Sequence, residues 1–151
     1  MKEQVDTLLK AWYVVTMNET RDIIRDGAVA VKDGLIVAVG KTDDLETQFE
    51  AKEVLGGDRF VLTPGMVNTH IHITGEPLTR GYLPDDTPFE ENVFEWLCPL
   101  YSVYTAEEER LSAQLAAVEM LKSGTTTFLE AGTCRFLEEI FEGLEEVGIR
   151  G

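Results

Sequence analysis

From Met66 onward the chain alternates two kinds of segment, and that alternation limits its possible folds more than any other feature. Met66-Val67-Asn68-Thr69-His70-Ile71-His72-Ile73 carries no charged residue apart from its two histidines and reads as a strand buried on both faces. Thr125 to Leu129 is β-branched and short, a second strand. A helix with clear ends lies between them. Thr105-Ala106-Glu107-Glu108 is a capping-box sequence: the Thr hydroxyl accepts from the Glu108 N–H while the Glu carboxylate reaches back to the cap. Leu111, Leu115, Val118 and Leu121 follow at helical spacing and predict its apolar face, and Gly124 after Ser123 stops it. Phe136 to Val147 predicts another helix, with Leu137, Ile140, Phe141, Leu144 and Val147 on one face and Gly148 at its end. Ile149-Arg150-Gly151 begins a further strand. Strands alternating with helices imply βαβ units on a parallel sheet. Such a sheet needs cover on both faces, more than these few units supply. A (β/α)8 barrel takes about 250 residues, against 151 here. The expectation is therefore a truncated chain or one piece of a split protein.

The residues before this alternation have a different character. Trp12 to Thr16 is aromatic and β-branched, and Ala28 to Lys32 alternates apolar and polar residues. Asp33-Gly34 separates that run from Leu35 to Val39, a strong hairpin signal because both turn positions tolerate φ > 0. Asp26-Gly27 predicts a similar turn just before, Asp43 to Phe49 a short helix and Phe60 to Leu62 a short strand. A small β module over 1–62 is thus expected, with the first βα units over 63–151. The boundary falls at the turn Thr63-Pro64-Gly65. A long loop from Thr74 to about Pro88 carries Gly75, Pro77, Gly81, Pro84 and Pro88, and loops of that length are usually functional or disordered. Phe89 to Leu97 predicts a short helix that Pro99 stops.

Charge excludes some partners. With 13 basic and 28 acidic residues the formal net charge is −15, which repels nucleic-acid phosphates and anionic lipid. No stretch approaches the roughly 20 apolar residues of a membrane span, and no signal-peptide pattern opens the sequence. Cys98 and Cys134 form no CxxC pair and read as small buried hydrophobes. A cytoplasmic protein with a small-molecule substrate is expected, with no nucleic-acid or membrane partner and a homo-oligomer left open.

The chain has two histidines, at 70 and 72. On a strand, residues i and i+2 point to the same side, roughly 6.5–7 Å apart at Cα, so two imidazoles can converge on one cation. Neutral imidazole suits Zn²⁺, Fe²⁺, Ni²⁺ or Mn²⁺. On spacing alone a pair of buried neutral or surface histidines is an equal reading. Position favours the metal: the pair ends a strand and a long Gly/Pro loop follows, and parallel folds keep active sites at the C-terminal ends of their strands.

Thr63-Pro64-Gly65-Met66-Val67-Asn68-Thr69-His70-Ile71-His72 resembles the PGxxxxHxH strand that opens the barrel in the amidohydrolase superfamily. Upstream, Val31 to Gly40 is similar to the N-terminal half of that family's flanking β-sandwich. Downstream, Leu78-Thr79-Arg80-Gly81 with Glu95-Trp96-Leu97 is similar to the loop of the branch holding cytosine, guanine and S-adenosylhomocysteine deaminases and triazine chlorohydrolases. Glu119 to Thr127 resembles the family's second helix-to-strand junction. The resemblance implies an α/β fold: the start of a (β/α)8 TIM-type barrel preceded by part of a small β-sandwich.

It also implies a metal-dependent hydrolase of non-peptide carbon–nitrogen bonds, a deaminase of a heterocyclic amine working through metal-activated water. An amidase or chlorohydrolase of the same superfamily, and an inactive fragment or non-catalytic binding module, are the alternatives. His70 and His72 would be two ligands of one divalent metal, zinc ahead of iron. Catalytic zinc usually takes three protein ligands, so this chain alone is expected to bind metal weakly and to be inactive. Arg80, Trp96 and Glu130 are candidates for the substrate cleft. The alternatives are a surface ion pair for Arg80, a core aromatic for Trp96 and a loop-capping carboxylate for Glu130. Glu76, Asp85 and Asp86 read as a solvated loop.

Overall fold

The computed structural model describes residues 1–80, 82–84 and 86–151, with the side chain of Glu76 outside the description. Gly81 and Asp85, each named above, therefore lie outside the described residues, as does the Glu76 carboxylate. The chain divides into two compact units, Met1–Pro64 and Gly65–Gly151.

The first unit is one four-stranded sheet with a helix against it. Its elements are β1 (Glu3–Val15), β2 (Ile23–Lys32), β3 (Leu35–Lys41), α1 (Thr42–Gln48) and β4 (Phe49–Leu62). The order is β3-β2-β1-β4, with β1 antiparallel to β2, β2 antiparallel to β3, and β1 parallel to β4. Asp33 and Gly34 turn β2 into β3 with φ of 51° and 75°, the double positive φ that such a hairpin needs. Asp26-Gly27, by contrast, is no turn. The β1–β2 ladder runs through it, from Ala11 opposite Gly27 to Tyr13 opposite Arg25. A Cβ on Gly27 would stand 2.7 Å from Val14 Cγ2, so the glycine serves close packing instead. The strands expected at Trp12–Thr16 and Phe60–Leu62 are the last parts of longer ones, because the β1–β4 ladder extends from Glu3 to Leu62. Leu45 of α1 closes a core with Val5, Leu8, Ala28 and Ala30.

In the second unit β5 (Met66–Ile71) and β6 (Thr125–Glu130) pair in parallel. Thr127 then bridges Arg150, also in parallel, so each new stretch of backbone is added beyond the previous one. Between β5 and β6 come α2 (Glu76–Thr79), α3 (Phe89–Glu91), a π-helix (Asn92–Leu97), α4 (Cys98–Val103) and α5 (Ala106–Lys122); α6 (Leu137–Val147) follows β6. The core joins Ile71, Ile73 and Phe128 of the sheet to Ala113, Ala116, Ala117 and Met120 of α5 and Ile140 and Leu144 of α6. Both helices thus serve one face of the sheet. Sequential parallel strands with helices on one side are the winding of a barrel; a doubly wound sheet carries helices on both faces.

Several expectations change here. Of β5 only Ile71 is buried, and Met66 and Val67 are each 62% exposed. The strand has one ladder partner among the described residues, and the helices cover one face. Pro99 does not stop the helix at Leu97. Helical backbone continues from Phe89 to Val103, and Pro99 sits in the first turn of α4, directly after the π-helix. There proline's missing N–H is tolerated.

Leu111, Leu115 and Val118 are exposed, while Glu109, Ser112, Ala113, Ala116, Ala117 and Met120 form the buried face of α5. Small side chains let a helix lie close to its neighbours, and that contact outweighs the larger apolar stripe. On α6, Ile140 and Leu144 are buried but Leu137 and Phe141 are exposed. Cys98 is exposed and only Cys134 is half-buried. The capping box on Thr105 and the left-handed stop at Gly148 (φ 83°) are both present. Among the described residues no helix is long and apolar enough to cross a membrane.

Candidate metal centre

The two histidines owe their placement to an irregularity in β5. The ladder passes from Asn68 opposite Phe128 to Ile71 opposite Glu130, three steps on one strand against two on the other. The extra residue is a bulge, the device that re-aims side chains beside active sites. Beyond it Ile71 and Ile73 enter the core beneath the helices, 4% and 1% exposed. By the period of two, His70 and His72 then stand on the opposite side. Their ring centroids are 5.2 Å apart and perpendicular. His70 is exposed and His72 half-buried.

Backbone contacts hold this strand end. The His70 N–H donates to Asn68 Oδ1 (3.2 Å), the Gly75 N–H to the His72 carbonyl (3.0 Å) and the Ala131 N–H to the Ile71 carbonyl (2.9 Å). Two adjacent imidazoles on one side of a strand end, one exposed and one half-buried, fit two positions of a tetrahedral or octahedral metal site. Among the described residues no group of three or more His, Cys, Asp and Glu side chains is assembled for a metal. Cys134 is a poor ligand at neutral pH, because burial and the Glu130 carboxylate push its thiol up to about 12.

The other candidates are placed less uniformly. Arg80 Nη1 donates to Glu119 Oε2 of α5 (2.7 Å), so it forms an exposed ion pair. Trp96 is half-buried and meets Tyr82 edge to face, with centroids 5.7 Å apart. Glu130 Oε1 accepts from Gly132 N (3.1 Å), Thr133 N (3.0 Å) and Thr133 Oγ1 (2.9 Å), and its Oε2 accepts from Ile73 N (2.7 Å). Asp86 is exposed in its loop. Sequence reasoning missed Glu109, whose fully buried carboxylate accepts from Arg135 N and Phe136 N. Its position on the alanine face of α5 was the available signal. It also missed an open cleft lined by Cys98, Tyr101, Ser102, Gly132, Thr133 and Arg135, beyond the C-terminal end of β6.

A family model described as the amidohydrolase family matches residues 61–151, and the chain belongs to that family. A second model, an imidazolonepropionase-like composite domain of bacteria, matches residues 27–49 in the β module. The chain is 36% identical over 144 residues to the 5-methylthioadenosine/S-adenosylhomocysteine deaminase of Shouchella clausii, covering 95% of this chain and 32% of that protein. It is 38% identical over 145 residues to the 5′-deoxyadenosine deaminase of Methanococcoides burtonii, with 96% and 32% covered. The crystal structure of an adenosine deaminase from Xanthomonas campestris with bound zinc superposes with a TM-score of 0.89 at 32% identity. That match covers 99% of this chain and 34% of the other. The zinc complex of atrazine chlorohydrolase from Arthrobacter aurescens shares the fold, with a TM-score of 0.79 at 21% identity over 95% of this chain and 34% of that one. The chain thus spans about a third of the length of the relatives it matches.

Proposed function

We propose that this chain supplies the first two metal ligands, His70 and His72, of a metal-dependent hydrolase acting on non-peptide carbon–nitrogen bonds. The proposed reaction is deamination of a heterocyclic amine, and the names of its relatives favour an adenine nucleoside as substrate. The observation that carries the reading is the pairing of the two imidazoles, 5.2 Å apart, at the C-terminal end of β5. Zinc in two structural neighbours favours zinc over iron as the metal. When bound, a metal of this kind lowers the pKa of water to about 7 and polarises the bond to be broken. The chain's own part is to hold two imidazoles in register, with Ile71 and Ile73 locked beneath them.

Trp96, edge to face with Tyr82, is the residue proposed to line the substrate site, with Arg80 paired to Glu119 and Glu130 bonded to the loop after β6. The other metal ligands would come from outside the described residues, so the chain alone is proposed to bind zinc weakly without turnover. A cytoplasmic setting belongs to the same proposal, and the free thiols of Cys98 and Cys134 fit a reducing compartment.

The test is a chimera in which this chain replaces the matching third of the Methanococcoides burtonii enzyme. It should hold zinc and release ammonia from 5′-deoxyadenosine, and His70→Ala or His72→Ala should abolish both. A chimera that holds zinc but releases chloride from a chlorotriazine instead would favour the chlorohydrolase reading. A chimera that folds without binding zinc would end both.

A further inference from the structure

We propose that Glu130 is the positioning residue for the histidine pair, fastening the end of β5 to the loop after β6 so that His72 keeps its direction. The inference rests on the metal reading of His70 and His72. It deepens that reading by giving Glu130 a role other than substrate contact.

The geometry is specific. Ile73, the residue after His72, lies beyond the last ladder residue of β5, and its N–H donates to Glu130 Oε2 at 2.7 Å across 57 positions of sequence. On the other side of His72, the Ile71 carbonyl accepts from Ala131 N, the residue after Glu130. His72 is therefore flanked on both sides by backbone groups tied to positions 130 and 131. The other oxygen of Glu130 accepts three donors from Gly132 and Thr133. Four donors converge on this one carboxylate, and a carboxylate is the side chain that offers acceptors on both oxygens. Glutamine keeps one acceptor oxygen and puts an NH2 group in place of the other, so it can accept from the Ile73 N–H or from the Gly132 and Thr133 N–H groups but not from both sets. Because the bulge at 68–71 interrupts the β-ladder just before His72, side-chain support replaces ladder support there.

Groups that orient metal ligands typically change metal affinity by about 10- to 100-fold when removed. The test uses the full chain in solution, with zinc as the probe. In the unaltered chain the Ile73 amide should exchange slowly with deuterium, and an Ile73 amide exchanging at the unfolded-chain rate overturns the proposal without any variant. Glu130→Gln should speed Ile73 exchange, weaken the nuclear Overhauser contact between the two imidazoles and raise the zinc Kd about 10-fold or more. Glu109→Ala, which removes a carboxylate serving α6, controls for lost stability and should leave the ring contact and zinc Kd unchanged. A Glu130→Gln chain with the ring contact intact and the Kd within about twofold of the unaltered chain overturns the proposal. If the unaltered chain binds no zinc while Glu130→Gln still loses the ring contact, the weak zinc binding proposed for the isolated chain falls and the positioning role stands.

Discussion

The carboxylate of Glu109 accepts the backbone N–H of Phe136 at 3.1 Å, so an acid buried in α5 caps the helix that packs beside it. The same oxygen accepts from Arg135 N at 2.9 Å. Glu109 is 0% exposed, and removing it leaves two N–H groups without their acceptor in the interior. A buried donor stripped of its partner costs about 1–3 kcal/mol. Glu109→Ala should therefore destabilise the second unit by about 2–4 kcal/mol in urea unfolding, while Glu109→Gln, which keeps an acceptor oxygen, should lose less. Equal midpoints for the alanine variant and the unaltered chain would contradict this role.

The start of α5 gives a pH dependence. Glu108 accepts from the Thr105 N–H at 2.8 Å and from its hydroxyl at 2.9 Å, and these bonds hold its carboxyl below the ordinary value of 4.5. A depressed folded-state pKa adds stability that is complete above the unfolded value and is lost as pH falls through the folded one. Thr105→Ala should lower the urea midpoint at pH 7. That difference should shrink as pH falls from about 4.5 toward 3, because the protonated acid no longer rewards the cap. A difference that stays constant with pH would rule the contribution out.

Binding and folding should separate at the histidines. His70 is exposed, whereas Ile71 and Ile73 anchor the strand. His70→Ala should shift the thermal midpoint by less than about 2 °C, since surface changes stay within about 0.5 kcal/mol. The same variant should remove the zinc-induced changes in the His72 ring resonances. Ile73→Ala should do the opposite in one respect, costing about 2–5 kcal/mol by opening a cavity in the core.

The two thiols should react at different rates. Cys98 is exposed. Cys134 is half-buried, and burial with the nearby Glu130 carboxylate raises its pKa to about 12. Since the thiolate is the nucleophile, iodoacetamide at pH 8 should label Cys98 first, and Cys134 only after denaturation. Peptide mass mapping over time reads the order. Faster labelling at Cys134 would contradict the described packing.

Many features of both units were legible in local sequence. Asp33-Gly34 defines its turn within two residues, Thr105 and Glu108 define a helix start within four, and Gly148 ends α6 with its own φ. The His-x-His spacing placed the two imidazoles on one side of a strand end for the same reason, since side-chain alternation is a short-range property of extended backbone. The misreadings came from long-range contacts. Asp26-Gly27 looks like a turn until β1 pairs across it. Leu111, Leu115 and Val118 look like a core face until the alanines of α5 allow a closer approach.

What the chain alone determined is therefore the order of strands and helices, their caps and the presence of two metal-type donors two residues apart. Tertiary structure decided which side those donors face, through a bulge opposite β6, and what holds them, through a carboxylate 57 residues away. Periodicity and capping act over a few residues. Register and convergent hydrogen bonds depend on partners that only folding brings together.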